Sequence, residues 1–154
     1  MNAEKFQTLI SEVTRQIVGM PLDKDLEAFL NDEVSADGEL FKYIESACHQ
    51  AVGEGWMCER EHGGIKFGRV IKPGQGTHGF SVDVVEMSDI VGPHHAHPNG
   101  EIDMIMPLGG DAKFDGQGKG WLVYSPGSAH NPTVSDGSAY VLYLLPDGAI
   151  DFTR

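Results

Sequence analysis

Gly92–Gly110 reads GPHHAHPNGEIDMIMPLGG. Three of the chain's seven histidines fall within four positions, a turn follows, and a glutamate then opens an apolar run. A strand alternates its side chains between two faces, so His95 and His97 point one way and His94 the other. A tight turn at Pro98–Gly100 would bring Glu101 back beside the two imidazoles on the neighbouring strand. His130 follows the turn SPGSAH some thirty residues later, and a rolled-up sheet can bring it to the same interior.

The surroundings of this stretch read as short strands punctuated by Gly and Pro. Candidate strands are 65–71, 80–87, 90–97, 101–108, 112–114, 121–124, 131–134 and 139–145. The turns between them are KPGQGTHG, HPNG, LGGD, DGQGKG, SPGSAH, SDGS and PDG. Many short strands at close spacing predict an all-β sandwich or barrel, with the jelly roll among the possibilities.

Before about residue 55 the period is helical instead. Phe6, Leu9, Ile10, Val13 and Ile17 recur at three- and four-residue intervals until Gly19 and Pro21. A second helix is expected over 23–33, with Leu26, Phe29 and Leu30 on one side. A third is expected over 37–52, with Asp37 as N-cap and Leu40, Phe41, Ile44, Ala47 and Cys48 as its stripe. The glycines of GEG at 53–55 close it. The expected organisation is a helical segment over 1–55 that packs on a β-barrel over 56–154, one compact domain overall. The fold class is mainly β.

The 154 residues suffice for one domain with one sizeable core. With 23 acidic and 11 basic side chains the formal net charge is −12, which argues against nucleic acid and against anionic membrane. The N-terminus lacks the apolar core and cleavage site of a secretory signal, and no apolar run reaches membrane-spanning length. Cys48 and Cys58 lack CxxC spacing and read as reduced thiols. A cytoplasmic location is the expectation.

Three imidazoles and a carboxylate make a mixed nitrogen and oxygen donor set. His95, His97, Glu101 and His130 together suit a divalent transition metal such as Fe, Mn, Ni, Cu or Zn, with one or two positions left open. The absence of thiolates disfavours a closed structural zinc site.

These residues resemble the cupin superfamily. Its first motif has a glycine, HxH, three or four residues, a glutamate, and a glycine about seven further on. Gly92, His95, His97, Glu101 and Gly109 stand there. Its second has a glycine, a proline and Gly-x-x-His, matched by Gly120, Pro126, Gly127 and His130. The sequence departs in three places. Gly92 lies closer than usual to the first histidine, a residue between Pro126 and Gly127 is missing, and Val134 replaces the usual asparagine. The resemblance implies a single cupin jelly-roll barrel, but it does not fix a reaction. With its helical N-terminal third, GPHHAHPNGEIDMIMPL and GWLVYSPGSAHNPTV, the chain is also similar to the small bacterial 4-hydroxylaminobenzoate lyases of nitroarene degradation. That likeness implies conversion of 4-hydroxylaminobenzoate and water to 3,4-dihydroxybenzoate (protocatechuate) and ammonia.

On that reading Glu101 is a ligand, a proton shuttle or both, and His94 has a candidate catalytic role from outside the ligand set. A small aromatic carboxylic acid needs a cation. Arg69 shares the parity of Ile65, Phe67 and Ile71 and can bind a carboxylate bidentately. Tyr124, Trp121, Tyr140, Tyr143, Met104 and Met106 are candidates for an aromatic-sized pocket or for plain core, with Tyr124 the foremost as a substrate contact. Asp103 shares Glu101's parity and can orient a ligand or act as a base. Two other readings stand beside the lyase: an Fe(II)-dependent cupin dioxygenase, and a non-catalytic small-molecule binder. A homodimer is the expected assembly.

Overall fold

The computed structural model describes residues 1–153. Three helices lead the chain: α1 (Ala3–Ile17), α2 (Lys24–Glu33) and α3 (Glu39–Glu54). Asn2 and Asp23 cap the first two, accepting from the amides of Lys5 and Leu26. Asp37 is not the cap of α3. Gly38 holds that position without a side-chain bond, and Asp37 lies in the preceding turn. Gly55 ends α3 in the left-handed conformation, whereas Gly53 is still helical. Phe6, Ile10, Val13 and Ile17 of α1 are buried, as the period predicts. No helix among the described residues is long and apolar enough to cross a membrane.

Ten strands follow: β1 (Arg60–His62), β2 (Ile65–Ile71), β3 (Phe80–Val91), β4 (His95–His97), β5 (Glu101–Pro107), β6 (Lys113–Phe114), β7 (Gly120–Tyr124), β8 (Ser128–His130), β9 (Thr133–Pro146) and β10 (Asp151–Phe152). The larger sheet runs β1-β2-β3-β9-β5-β7, with β6 also paired to β9, and a smaller one runs β10-β4-β8. All pairings are antiparallel. The two facing sheets form the cupin jelly roll, preceded by the helical layer.

Several boundaries differ from the sequence expectation. The segments 131–134 and 139–145 are one strand, β9. The apparent turn SDGS is a bulge opposite Asp89, where Asp136 and Gly137 take positive φ and the Gly137 amide donates to Asp89. Likewise β3 continues through Asp89 to Val91, so β4 is a separate short strand. The stretch Ser128–His130, expected as a turn, is strand β8. The β1–β2 hairpin, absent from the expectation, turns on Gly63 and Gly64, both at positive φ.

Strand alternation divides the large sheet into two working faces. Val82, Val84, Ile102, Met104, Met106, Trp121, Val123, Tyr140, Leu142 and Leu144 pack with the helices in one core cluster. Val85, Met87, Ile105, Leu122, Val141, Tyr143 and Leu145 turn inward to a second, between the sheets. The helical segment therefore covers the outer face of the sheet whose inner face carries Glu101.

Candidate metal centre and its cavity

Two short turns aim the ligands. His97–Gly100 closes with the Gly100 amide donating to the His97 carbonyl at 3.1 Å, and the Gly127 amide donates to the same oxygen at 2.8 Å. Gly100 sits at φ +89, where a Cβ would meet Leu22 at 2.6 Å and the Tyr124 carbonyl at 2.8 Å. Only glycine suits that corner. The turn does not return Glu101 beside β4, because β5 pairs with β7 and β9 instead. Glu101 reaches the imidazoles from across the barrel. His95 and His130 are direct cross-strand partners of β4 and β8, with His97 two residues along.

His95, His97, Glu101 and His130 each offer an atom within 4.8 Å of all the others. Nε2 of His95 and of His97 both lie 3.3 Å from Glu101 Oε1, and His130 Nε2 is 3.5 Å from Oε2. His95, His97 and Glu101 are essentially inaccessible. The outer nitrogens face away from the cluster. His97 Nδ1 bonds Ser128 Oγ at 2.9 Å, His130 Nδ1 bonds Asp115 Oδ2 at 2.6 Å, and His95 Nδ1 approaches the Pro93 carbonyl at 3.3 Å. With Nδ1–H donating outward, each Nε2 lone pair points at the common centre.

His97 Nε2 and Glu101 Oε2 are buried without a hydrogen-bond partner. Buried polar atoms left unpaired are costly, and here both converge on one point. Burial opposes the charge on Glu101, but the imidazoles of His130, His95 and His97 gathered around it hold its carboxyl well below the usual range. Burial lowers His130, yet Asp115 and Glu101 push it up to about 9. A positive charge is thus favoured at the centre of the cluster. The donor set, its orphaned atoms and its preference for positive charge fit a divalent metal.

Asp115 gathers three donors: His130, the Tyr124 hydroxyl and the Thr133 amide. Tyr124 also lies against the His97 and His130 rings, at 5.4 and 4.6 Å between centroids. It packs on the cluster and is not among the residues that line the cavity beside His95. Asp103 is fully buried with neither carboxylate oxygen hydrogen-bonded, and burial together with the charge of Glu101 pushes it well above the ordinary carboxylate range. His94 is exposed, its ring bonded to Thr153 and pointing away from the cluster.

A cavity of about 480 Å³ opens beside His95. Its walls are largely apolar, with Phe67, Val85, Met87, Tyr143, Ile150 and Phe152 among them, and Arg60, His62, Arg69 and Asp83 supply the charged and polar groups. Arg69 faces this space with Ile65 and Phe67. Ile71 does not, because a bulge after Arg69 moves it to the helical face. The Arg69 fork is already engaged: Nε and Nη2 bond the Asp83 carboxylate at 2.9 and 3.1 Å, and Nη2 also reaches the Gly148 carbonyl. Of the remaining pocket candidates, Tyr143 lines the cavity. Trp121, Tyr140, Met104 and Met106 pack toward the helices, so the parity that turns Glu101 inward turns them out.

A model of the 4-hydroxylaminobenzoate lyase (PnbB) family matches residues 8–152. The chain belongs to that family. Among curated 4-hydroxylaminobenzoate lyases, that of Pseudomonas putida is 31% identical over 145 residues, 83% of this chain and 82% of the relative. That of Nocardioides sp. is 31% identical over 138 residues, 84% and 82% of the two chains. Membership makes this a lyase. Among solved structures, an oxalate oxidase in complex with the substrate analogue glycolate is similar at a TM-score of 0.46 and 22% identity. That match covers 60% of this chain and 57% of the other.

Proposed function

We propose that this lyase converts 4-hydroxylaminobenzoate and water to 3,4-dihydroxybenzoate (protocatechuate) and ammonia, with a divalent metal held by His95, His97, Glu101 and His130. The observation that carries the reading is the meeting of that cluster with an apolar cavity, in a chain of this family. The balance needs no oxidant: the N–O bond is reduced as the ring gains oxygen from water. A bound metal would act as a Lewis acid and lower the pKa of water.

The chain's own residues do the positioning. Phe67, Tyr143 and Phe152 border a space suited to an aromatic ring, with His95 at its inner end. The apolar walls limit stray water around the reacting nitrogen. Glu101, ionised and reached by three imidazoles, is the group placed to exchange a proton at the cluster.

Turnover under ¹⁸O₂ in unlabelled water tests the reaction class. The expected product is protocatechuate free of ¹⁸O, formed at the same rate without oxygen. Label in the product, or an absolute need for O₂, would replace the lyase with a dioxygenase.

A further inference from the structure

A carboxylate entering this cavity meets an unfavourable background. The chain carries a net charge of −12, and Asp83 already lines the wall. A counter-charge is required to hold an anion in such a space. Two guanidinium groups, those of Arg60 and Arg69, border it. Asp83 takes up Arg69 through two hydrogen bonds, so that pair presents little net charge, and a carboxylate arriving there would have to displace Asp83.

Arg60 is placed differently. It stands directly opposite Phe67 in the β1–β2 ladder, and cross-strand partners project to the same face. Phe67 lines the cavity, so the register puts the Arg60 side chain on that side as well. His62, opposite Ile65, lies on the same face. Arg60 makes no ion pair among the described residues, in contrast to Arg69. It is exposed at the lip, on an edge strand whose turn is made by two glycines.

We propose that Arg60 is the carboxylate-binding residue of the cavity, and that it selects aromatic acids over their neutral counterparts. The Arg69–Asp83 pair shapes the wall. This inference rests on the reading of the cavity as the substrate site. In the bound pose the carboxylate meets the Arg60 fork at the lip and the opposite end of the ring points toward His95.

Calorimetry with 4-aminobenzoate and the shape-matched neutral 4-aminobenzamide tests it on the metal-loaded protein. Wild type is expected to prefer the acid. Arg60→Gln is expected to weaken binding of the acid about 10- to 100-fold, the size of a lost charged hydrogen bond, and to change the amide little. The Arg69→Gln/Asp83→Asn double variant, which removes both charges together, is expected to keep the preference. Unchanged melting temperatures would show that both variants fold. The proposal is overturned if wild type shows no preference, if the preference survives in Arg60→Gln, or if it disappears in the double variant. Turnover of 4-hydroxylaminobenzoate by wild type separates the two levels. A protein that prefers 4-aminobenzoate through Arg60 yet makes no protocatechuate would refute the reaction and keep the subsite. Turnover with no effect of Arg60→Gln on binding would do the reverse.

Discussion

Asp115 holds His130, Tyr124 and the Thr133 amide with one carboxylate, and none of the three contacts was legible from spacing. Sequence reasoning found the four cluster residues because HxH, a turn, a glutamate and Gly-x-x-His form a local pattern with a chemical reason. Asp115 lies in KFDGQGKG, a stretch that reads as an ordinary turn. Its positive φ of 50° hints at a special role only once coordinates exist. The hydrogen bond to His130 fixes which ring nitrogen faces the cluster, so Asp115→Asn is expected to weaken metal affinity by roughly 10- to 100-fold. Competition against a calibrated chelator measures this, and affinity within about twofold of wild type would contradict it. Parity, by contrast, was available from the start. Met104 and Met106 are offset from Glu101 by odd numbers of residues, as Trp121 is from Tyr124, so strand alternation alone could have moved them from the pocket to the helical face.

At the scale of elements, helices and strands were largely legible; β1 and β8 were missed, and two further errors fall at bulges. SDGS carries the composition of a turn, but a bulge opposite Asp89 uses the same positive-φ residues without reversing the chain. Single-sequence patterns do not distinguish the two, since the difference lies in the partner strand. The bulge after Arg69 is equally silent, and it breaks the parity shared with Ile71. The His97–Gly100 turn is the element on which the site depends most, because it carries the chain from the small sheet to the large one. Gly100→Ala is expected to cost at least roughly 1–2 kcal/mol from the left-handed backbone alone, with more from the contact with Leu22 and the Tyr124 carbonyl. Denaturant melts of the metal-free variant measure the cost. Wild-type stability would show that the corner tolerates a side chain.

For the whole molecule, the helical layer and the barrel share a sheet. Its outer face packs on α1, α2 and α3, and its inner face holds Glu101 opposite the three histidines. Clamps tie the layer down: Asn31 bonds both the amide and the carbonyl of Trp121, and the Trp121 indole donates to the Val34 carbonyl at 2.8 Å. The sequence predicted a helical segment against a barrel. It could not reveal which face the segment covers, because that choice is made by tertiary packing. The cavity lies on the other, inner face of that sheet, between it and the small sheet. Stripping the metal and restoring it tests whether this arrangement serves a metal-dependent lyase. The protein is treated with chelator, desalted, and assayed without oxygen on 4-hydroxylaminobenzoate before and after a divalent metal is returned. No product is expected from the stripped protein, and equimolar protocatechuate and ammonia are expected once about one metal per chain is restored. Undiminished turnover by protein shown to be metal-free, or no product from protein shown to be loaded, would overturn the proposed metal-dependent reaction.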